Sequence, residues 1–527
     1  MSEPLPPNDY NRVAYPTMAH PQTFVDGLAV KGILRGMTPA DPARARVLEL
    51  GCGDGFNLAA MAVLHPGAAY VGVDYAADAV ARGRAMLAEA GLGQVRLESG
   101  DIRHLDRLAE LGEFDYIVAH GVFSWVPPDV RDALLAALAR LLAPQGVAFV
   151  SYLALPGAYQ REIARTLVRF HTRATPDPEE KILQARSLMD LVAKGSTVDN
   201  VYTRLIAAES ELIRGHTGEA FFHDELSDVS FPLLFTDFLA HAGRYGLEFL
   251  SEAEYAMPVA QYLSEVGREA LRPLQSNRIL LEQYLDLMEG RRFRQTLLVR
   301  QGMPGPTDPG RLSALRINLR AKPVGPPGPL AGPEPDVYEG TGRGQAQART
   351  PLDKAVMRAL AAHPGRAQPL AEILGTARTS LAAEAVPPPA DADDAACDFL
   401  CRAYLPGLVE VRVGELPFTL DAPERPVSHP LARYLLRRGA KSILSYSGRF
   451  VEVQGSLGRR LLELLDGTRD RAALVAELRG FLAAQHAAGA AADLPPADDP
   501  TLPAQLERSL AGLAAMGFIA ADGQSKA

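Results

Sequence analysis

Glu49-Leu50-Gly51-Cys52-Gly53-Asp54-Gly55-Phe56-Asn57-Leu58 is the stretch whose reading decides the fold. It follows a continuous apolar run, RVLEL (46–50), and opens a segment of helical period that reaches about residue 65. An apolar strand that turns on glycines into a helix begins a parallel α/β sheet covered on both faces. Glycines in such a turn take backbone conformations closed to other residues and let a ligand approach the backbone N–H groups. The spacing is G-x-G-x-G, with an acid two residues before the first glycine. Dinucleotide sites favour G-x-G-x-x-G, whose helix N-terminus faces a pyrophosphate.

Outward from this turn, AYVGVD (69–74), QVRLE (94–98), FDYIVA (114–119) and GVAFVSY (146–152) read as further strands, with helices running to Ala90 and over 129–142. Residues 156–240 are mostly helical in pattern. GLEFLSEAEY (246–255) and RFRQTLLVR (292–300) are strand-like again and are expected to rejoin the first sheet as its antiparallel edge. Residues 301–350 are rich in Pro and Gly (GMPGPTDPG, KPVGPPGPLAGPEP) and predict a linker or irregular arm. Beyond them, PLDKAVMRALAAH, PLAEIL and ACDFLCRAYL lead to LVEVRV and LPFTL as a helix-plus-hairpin unit. A last unit follows in which LGRRLLELLDGTRDRAALVAEL is broken by its DGT turn and Ala/Pro-rich 485–499 interrupts the helical pattern. The expected fold class is α/β: a Rossmann-like core with a helical insertion, then smaller α+β, winged-helix-like C-terminal domains.

A chain of 527 residues exceeds one ordinary core. Its 47% hydrophobic and 22% charged residues match an ordinary soluble balance rather than a disordered one. The formal charge of −9 gives no global reason to seek nucleic acid and would suit a cationic substrate. The Arg-rich PLARYLLRRGAK (430–441) reads as a solvated helix face. No apolar run is long enough for a membrane span, and MSEPLPPNDYNRV lacks a signal-peptide pattern. HDEL (223–226) is internal and is no retention tag. A cytoplasmic protein is expected. Cys52, Cys397 and Cys401 form no disulfide framework and no zinc spacing, so no metal is expected.

Three acids stand at the C-terminal ends of successive strands, the edge where ligands bind in such sheets. Glu49 precedes the glycine turn, Asp74 ends the second strand with Tyr75 beside it, and Asp101 follows the third with Ile102 next to it. S-adenosylmethionine carries an ammonium and a sulfonium and no phosphate, which a strand-end carboxylate suits. Glu49 is assigned to the ammonium, Asp74 to the ribose hydroxyls, and Asp101 and Ile102 to the adenine. Gly51, Cys52, Gly53, Gly55 and Asn57 complete the cofactor-binding set, with His120 and Gly121 after the fourth strand. His120 reads equally as a hydrogen-bonded strand-end residue. Trp125, the one tryptophan, is either core or an aromatic wall for a substrate cation.

ELGCGDGFNL, DYIVAHGVFSWVP and VSYLALPG together resemble the methyltransferases that carry a methyltransferase regulatory domain. FFHDELSDVSFPLLFTDFLAHAGRYGLEFLSEAE (221–254) is similar to the central signature of that domain, and TPLDKA and HPLARYLL extend the likeness. Its best understood branch is the rickettsial outer-membrane-protein lysine methyltransferases. The resemblance implies a covering segment over 1–43, a cofactor-binding core over 44–155 and a helical insertion over 156–240 that forms a possible homodimer. The residue pattern itself gives a return to the core sheet over 241–300 and a Pro/Gly-rich linker over 301–350; the resemblance further implies a middle domain over 351–424 and a C-terminal domain over 425–527. Tyr15-Pro16-Thr17-Met18-Ala19-His20-Pro21 matches the segment that folds over the cofactor. Phe56 departs from the family, which often has glycine there, and is expected to narrow the methionine end of the pocket.

Transfer of a methyl group from a sulfonium is an in-line displacement that mainly needs two reactants held in line. An apolar channel with hydroxyls near its floor is expected, and Tyr15, His120, Trp125 and Tyr152 are its candidate residues; Tyr152 reads equally as strand-end packing. Three functions follow: methylation of a protein lysine, methylation of a small molecule, or a cofactor-bound scaffold with little turnover.

Overall fold

The computed structural model describes residues 9–254, 263–340, 345–489 and 494–521. The first eight residues of the covering segment, Tyr255 at the end of the sixth predicted strand, and 490–493 in the Ala/Pro-rich stretch lie outside them.

Seven strands form the central sheet: β1 Arg46–Leu50, β2 Ala69–Asp74, β3 Val95–Ser99, β4 Phe114–Ala119, β5 Leu142–Leu153, β6 Leu247–Glu252 and β7 Phe293–Arg300. Their order is β3-β2-β1-β4-β5-β7-β6. Strands β1 to β5 pair in parallel, while β7 runs antiparallel between β5 and β6. The two late strands therefore do rejoin the sheet, but the antiparallel one is interior. The edge strand β6, antiparallel to β7, runs with the other five. An antiparallel β7 slots between β5 and β6 because the chain enters it from the far end, after the helix Arg278–Glu289.

Side chains alternate between two cores, as the pleat requires. Val47, Tyr116, Val118, Phe149, Leu297 and Val299 pack under the helices Val25–Leu34, Phe56–Leu64 and Ala77–Ala90. Leu48, Ile117, Ala119, Val150 and Leu298 pack under Pro128–Leu141 and Phe235–Gly243. The helices Ala158–Thr172, Pro178–Lys194, Val201–Arg214 and Gly218–Glu225 share a third core around Ala164, Val168, Met189, Ile206 and Phe221. Asp177, Asn200 and Thr217 cap three of these helices with side-chain oxygens.

The described residues of 301–350 are not a linker. Leu312, Leu315, Ile317, Leu330, Tyr338 and Ala348 are buried in the core of the following unit. The prolines and glycines turn the chain locally, and the apolar residues between them find partners far along it. Lys354, fully buried, donates to the carbonyl of Gly332 at 2.7 Å and so pins the GPLAGPEP loop. The expected hairpin is corrected too: Val409–Arg412 pairs with Arg316–Leu319, not with LPFTL. The final unit carries a short hairpin, Ser442–Leu444 with Phe450–Glu452, among the helices Pro430–Arg437, Ser456–Leu464, Arg471–Ala487 and Leu502–Ala515. Among the described residues no helix is long and apolar enough to cross a membrane.

Candidate active site

The C-terminal ends of β1, β2 and β4 and the turn after β3 open into a cavity of about 470 Å³. Glu49, Gly51, Cys52, Gly53, Asn57, Asp74, Tyr75, Asp101, Ile102, His120, Gly121, Tyr15 and Trp125 all line it. Two expected residues do not, namely Gly55 and Tyr152.

The glycine turn explains itself in two contacts. Gly51 has φ +78°, and a Cβ there would stand 2.4 Å from Val122 Cγ2. Gly55, at φ +71°, starts the helix Phe56–Leu64, and its missing Cβ leaves room for Leu97 Cδ2, which would stand only 2.6 Å away. Gly55 therefore serves packing against the sheet rather than the cavity wall. Phe56 likewise points into the core at 4% exposure and does not narrow the pocket.

Glu49 is buried, and its Oε1 accepts from Asn57 Nδ2 at 2.8 Å. Its Oε2 is buried without any hydrogen-bond partner. Burial pushes the Glu49 carboxyl up to about 8, with the Asn57 bond opposing and Asp74 and Asp54 adding to the rise. A buried acceptor without a donor beside an open cavity fits an incoming ammonium. Asp74 accepts from the backbone N–H of Gly53 and of Ala76, each at 2.7 Å. Its two oxygens keep further lone pairs for a ligand.

Asp101 is more engaged than its sequence position implies. Burial alone would raise its pKa, but Arg103 brings Nη2 to 2.7 Å from Oδ2 and Nε to 3.1 Å, holding the carboxyl below its ordinary value. Arg103 also reaches Asp129 at 3.0 Å. Asp101 remains on the wall, with a guanidinium as its first partner.

His120 packs its ring 3.9 Å from that of His20, and its Nδ1 is buried without a partner. Burial, then the neighbouring His20, lowers its pKa to about 3, so it is a neutral imidazole. The Gly121 N–H donates to Ser151 Oγ at 2.8 Å, which holds the loop after β4 on β5. Trp125 sits in a short turn with Arg161 and Arg165 at 5.2 and 5.3 Å from its ring. The cations it meets within the protein are thus internal.

Tyr152 is corrected as a channel residue. Strand β5 continues to Leu153 and pairs Tyr152 with Arg294, so position 152 is inside the sheet. The side chain is 1% exposed, stacks on Phe238 at 4.1 Å and bonds Thr296 Oγ1 at 3.0 Å.

The N-terminal segment is stitched across the glycine turn. Thr17 Oγ1 donates to Asp54 Oδ2 at 2.5 Å and the His20 N–H to Asn57 Oδ1 at 2.8 Å. Asn57, also bonded to Thr23, thereby joins Glu49 to that segment. His20, expected in the segment that folds over the cofactor, lines the cavity, and so do Tyr10, Arg82, Arg103 and Asp224, which sequence reasoning did not single out. Asp224 lies within FFHDELSDVS, the stretch whose resemblance was the one available signal.

Comparison with known proteins agrees with this architecture. A methyltransferase domain model matches residues 47–146, a predicted methyltransferase regulatory domain model matches 218–300, and a model described as PKMT, C-terminal winged helix domain matches 424–518. The uncharacterized protein RP028 of Rickettsia prowazekii (strain Madrid E) is 31% identical over 244 residues, 46% of this chain and 96% of that protein. RP789 of the same organism is 29% identical over 294 residues, 55% of this chain; the match spans about half of that relative, 52%. The structure of PKMT2 from Rickettsia typhi superimposes with a TM-score of 0.78 at 24% identity, covering 96% of this chain and 99% of that one. The same protein has been solved in complex with AdoHcy, and that structure gives a TM-score of 0.77 at 23% identity, with the same coverage. The glycine turn, the strand-end acids and these matches together show that the chain belongs to the methyltransferases that carry a methyltransferase regulatory domain.

Proposed function

We propose that this chain transfers a methyl group from S-adenosylmethionine to the side-chain amine of a lysine in a protein. The observation that carries the cofactor is Glu49 Oε2, a buried carboxyl oxygen without a hydrogen-bond partner, beside a turn whose Gly51 has no room for a Cβ. The likeness to PKMT2 over nearly the whole chain, and the winged-helix model described for PKMT, support the lysine acceptor.

When bound, S-adenosylmethionine supplies an electrophilic methyl group on a sulfonium. Glu49 would accept the ammonium of its methionine part, and Asp74 the ribose hydroxyls. Ile102 would pack on the adenine. The segment Thr17–His20, tied to Asp54 and Asn57, lies across the turn. His120 stays neutral at physiological pH, so it adds no positive charge to repel a sulfonium.

Lysine must arrive at the methyl group as a free amine. From a pKa near 10.4, deprotonation at pH 7 costs roughly 4–5 kcal/mol. A desolvated site and a nearby positive charge both lower that cost. Holding the two reactants in line supplies on the order of 7–11 kcal/mol.

The test is transfer of labelled methyl from S-adenosylmethionine into a lysate of the source cells, separated into protein and small-molecule fractions. Label mapped to lysine in a protein band is the expected result. Label found in small molecules alone would replace the lysine reading with a metabolite methyltransferase.

A further inference from the structure

We propose that Asp224, brought to the cavity by the helix Gly218–Glu225, is the carboxylate that receives the acceptor's ammonium group and takes up its proton, leaving the free amine that is methylated, and so sets the acceptor class to alkylamines. The inference rests on the methyltransferase reading and names a residue for it.

Asp224 lines the same cavity as Glu49 and Asp74 but comes from the segment that matches the regulatory domain, not from the sheet. Its immediate neighbour takes the nearby cations. Arg161 Nη2 stands 2.8 Å from Glu225 Oε1 but 3.6 Å from Asp224 Oδ2, beyond hydrogen-bond length. Arg165, fully buried, spends its guanidinium on the backbone carbonyls of Asp224 and Ser227 and on Glu162. Arg165 thus locks the backbone at Asp224, and Arg161 neutralises Glu225. Asp224, unlike Glu225, lines the cavity, where it hydrogen-bonds Tyr15 and keeps Arg161 at 3.6 Å.

The wall around it is aromatic. Tyr10, Tyr15 and Trp125 line the same cavity. Tyr10 is fixed by stacking on His223 at 4.2 Å, and His223 bonds the Val13 carbonyl through Nε2 at 2.7 Å. A carboxylate in an aromatic-lined cavity is an environment that attracts an alkylammonium and repels another carboxylate. Burial also raises the pKa of Asp224, with Arg161 opposing. A buried anion there is costly, and an ammonium relieves part of that cost.

The regulatory-domain segment would then act by completing the acceptor site. The experiment uses the full-length wild type with Asp224→Asn and Asp224→Glu. It measures AdoHcy affinity by calorimetry, and KM and kcat for methyl transfer to poly-L-lysine. Expected are AdoHcy affinities within about twofold of one another, a KM at least tenfold higher in D224N than in wild type, and partial recovery in D224E. AdoHcy binding with an unchanged KM in D224N would overturn the assignment alone, as would binding without any transfer to poly-L-lysine by the wild type. Failure of the wild type to bind AdoHcy would remove the methyltransferase reading and this inference together.

Discussion

At Glu49 a buried carboxyl is held near a pKa of 8, one oxygen on Asn57 and the other without a donor. Below that pH the free protein holds a proton on Glu49, and an ammonium ligand needs the proton gone. Binding therefore releases a proton, and affinity should rise by up to tenfold per pH unit between pH 6 and about 8. It should fall again above the α-amino pKa of the ligand, roughly 7.7–8.0. Calorimetry of AdoHcy binding in buffers of different ionisation enthalpy measures the proton; a heat that ignores the buffer contradicts the assignment. Asp74 gives a second expectation. Asp74→Ala removes two charge-assisted acceptors worth about 1.5 kcal/mol or more each, so AdoHcy should bind at least about a hundredfold more weakly. Unchanged affinity would sink the ribose assignment. Both acids were legible because the end of a strand is a local property. The neighbours that modify them, Asn57 and Arg103, became visible as partners only in three dimensions.

Among the elements, the turn between β1 and the helix Phe56–Leu64 is the most constrained. Gly51→Ala adds a Cβ 2.4 Å from Val122 Cγ2 on a backbone at φ +78°. Overpacking of that kind costs about 1–3 kcal/mol, and the left-handed backbone adds its own strain. Thermal unfolding should show the loss, and Gly51→Ala with Val122→Ala should recover the overlap but not the strain. Full additivity of the two changes would mean the contact is absent. The loop carrying Val122 follows β4, so one glycine reads the spacing of two strand ends. Strands and helices of the core were readable because apolar continuity and helical period are local signals. The order of β7 and β6 was not, because pairing direction depends on where the chain re-enters the sheet.

Across the whole molecule, the helix Val25–Leu34, within the first 43 residues, is tied to the unit beyond residue 350. Asp26 Oδ2 lies 3.2 Å from Arg412 Nη1, and Asp26 Oδ1 accepts the Val413 N–H at 3.0 Å. Both side chains are buried, so Asp26→Asn strands part of a buried charge. It should destabilise the protein by about 3–5 kcal/mol in denaturant unfolding. Loss within half a kcal/mol would show that the pair is not formed. Buried neutral histidines add a pH dependence. Burial lowers His20, His65 and His429 to about 4, and His120 to about 3. Their folded pKa values lie below the unfolded value of about 6.5. The stability they confer is therefore complete above that pH and is lost as pH falls through about 4. The melting temperature should drop steeply across that window, and less steeply in His429→Gln; a flat profile would contradict their burial.

By itself the sequence determined the sheet's parallel strands, the glycine turn, and the acids Glu49, Asp74 and Asp101 at the ligand edge. Each depends on residues within one turn or one strand of each other. Tertiary structure alone decided that Tyr152 packs on Phe238 inside the sheet, since that follows from how far β5 extends and what pairs with it. It also decided that the described residues of 301–350 belong to a core rather than a linker, because Ile317 pairs with Val411 and the Leu330 N–H donates to Glu384 Oε2. The same holds for Asp224, which reaches the cavity of Glu49 only after the whole helical insertion has packed. Side chains close in space and distant in sequence leave no periodic trace in the chain, so their meeting is a property of the fold.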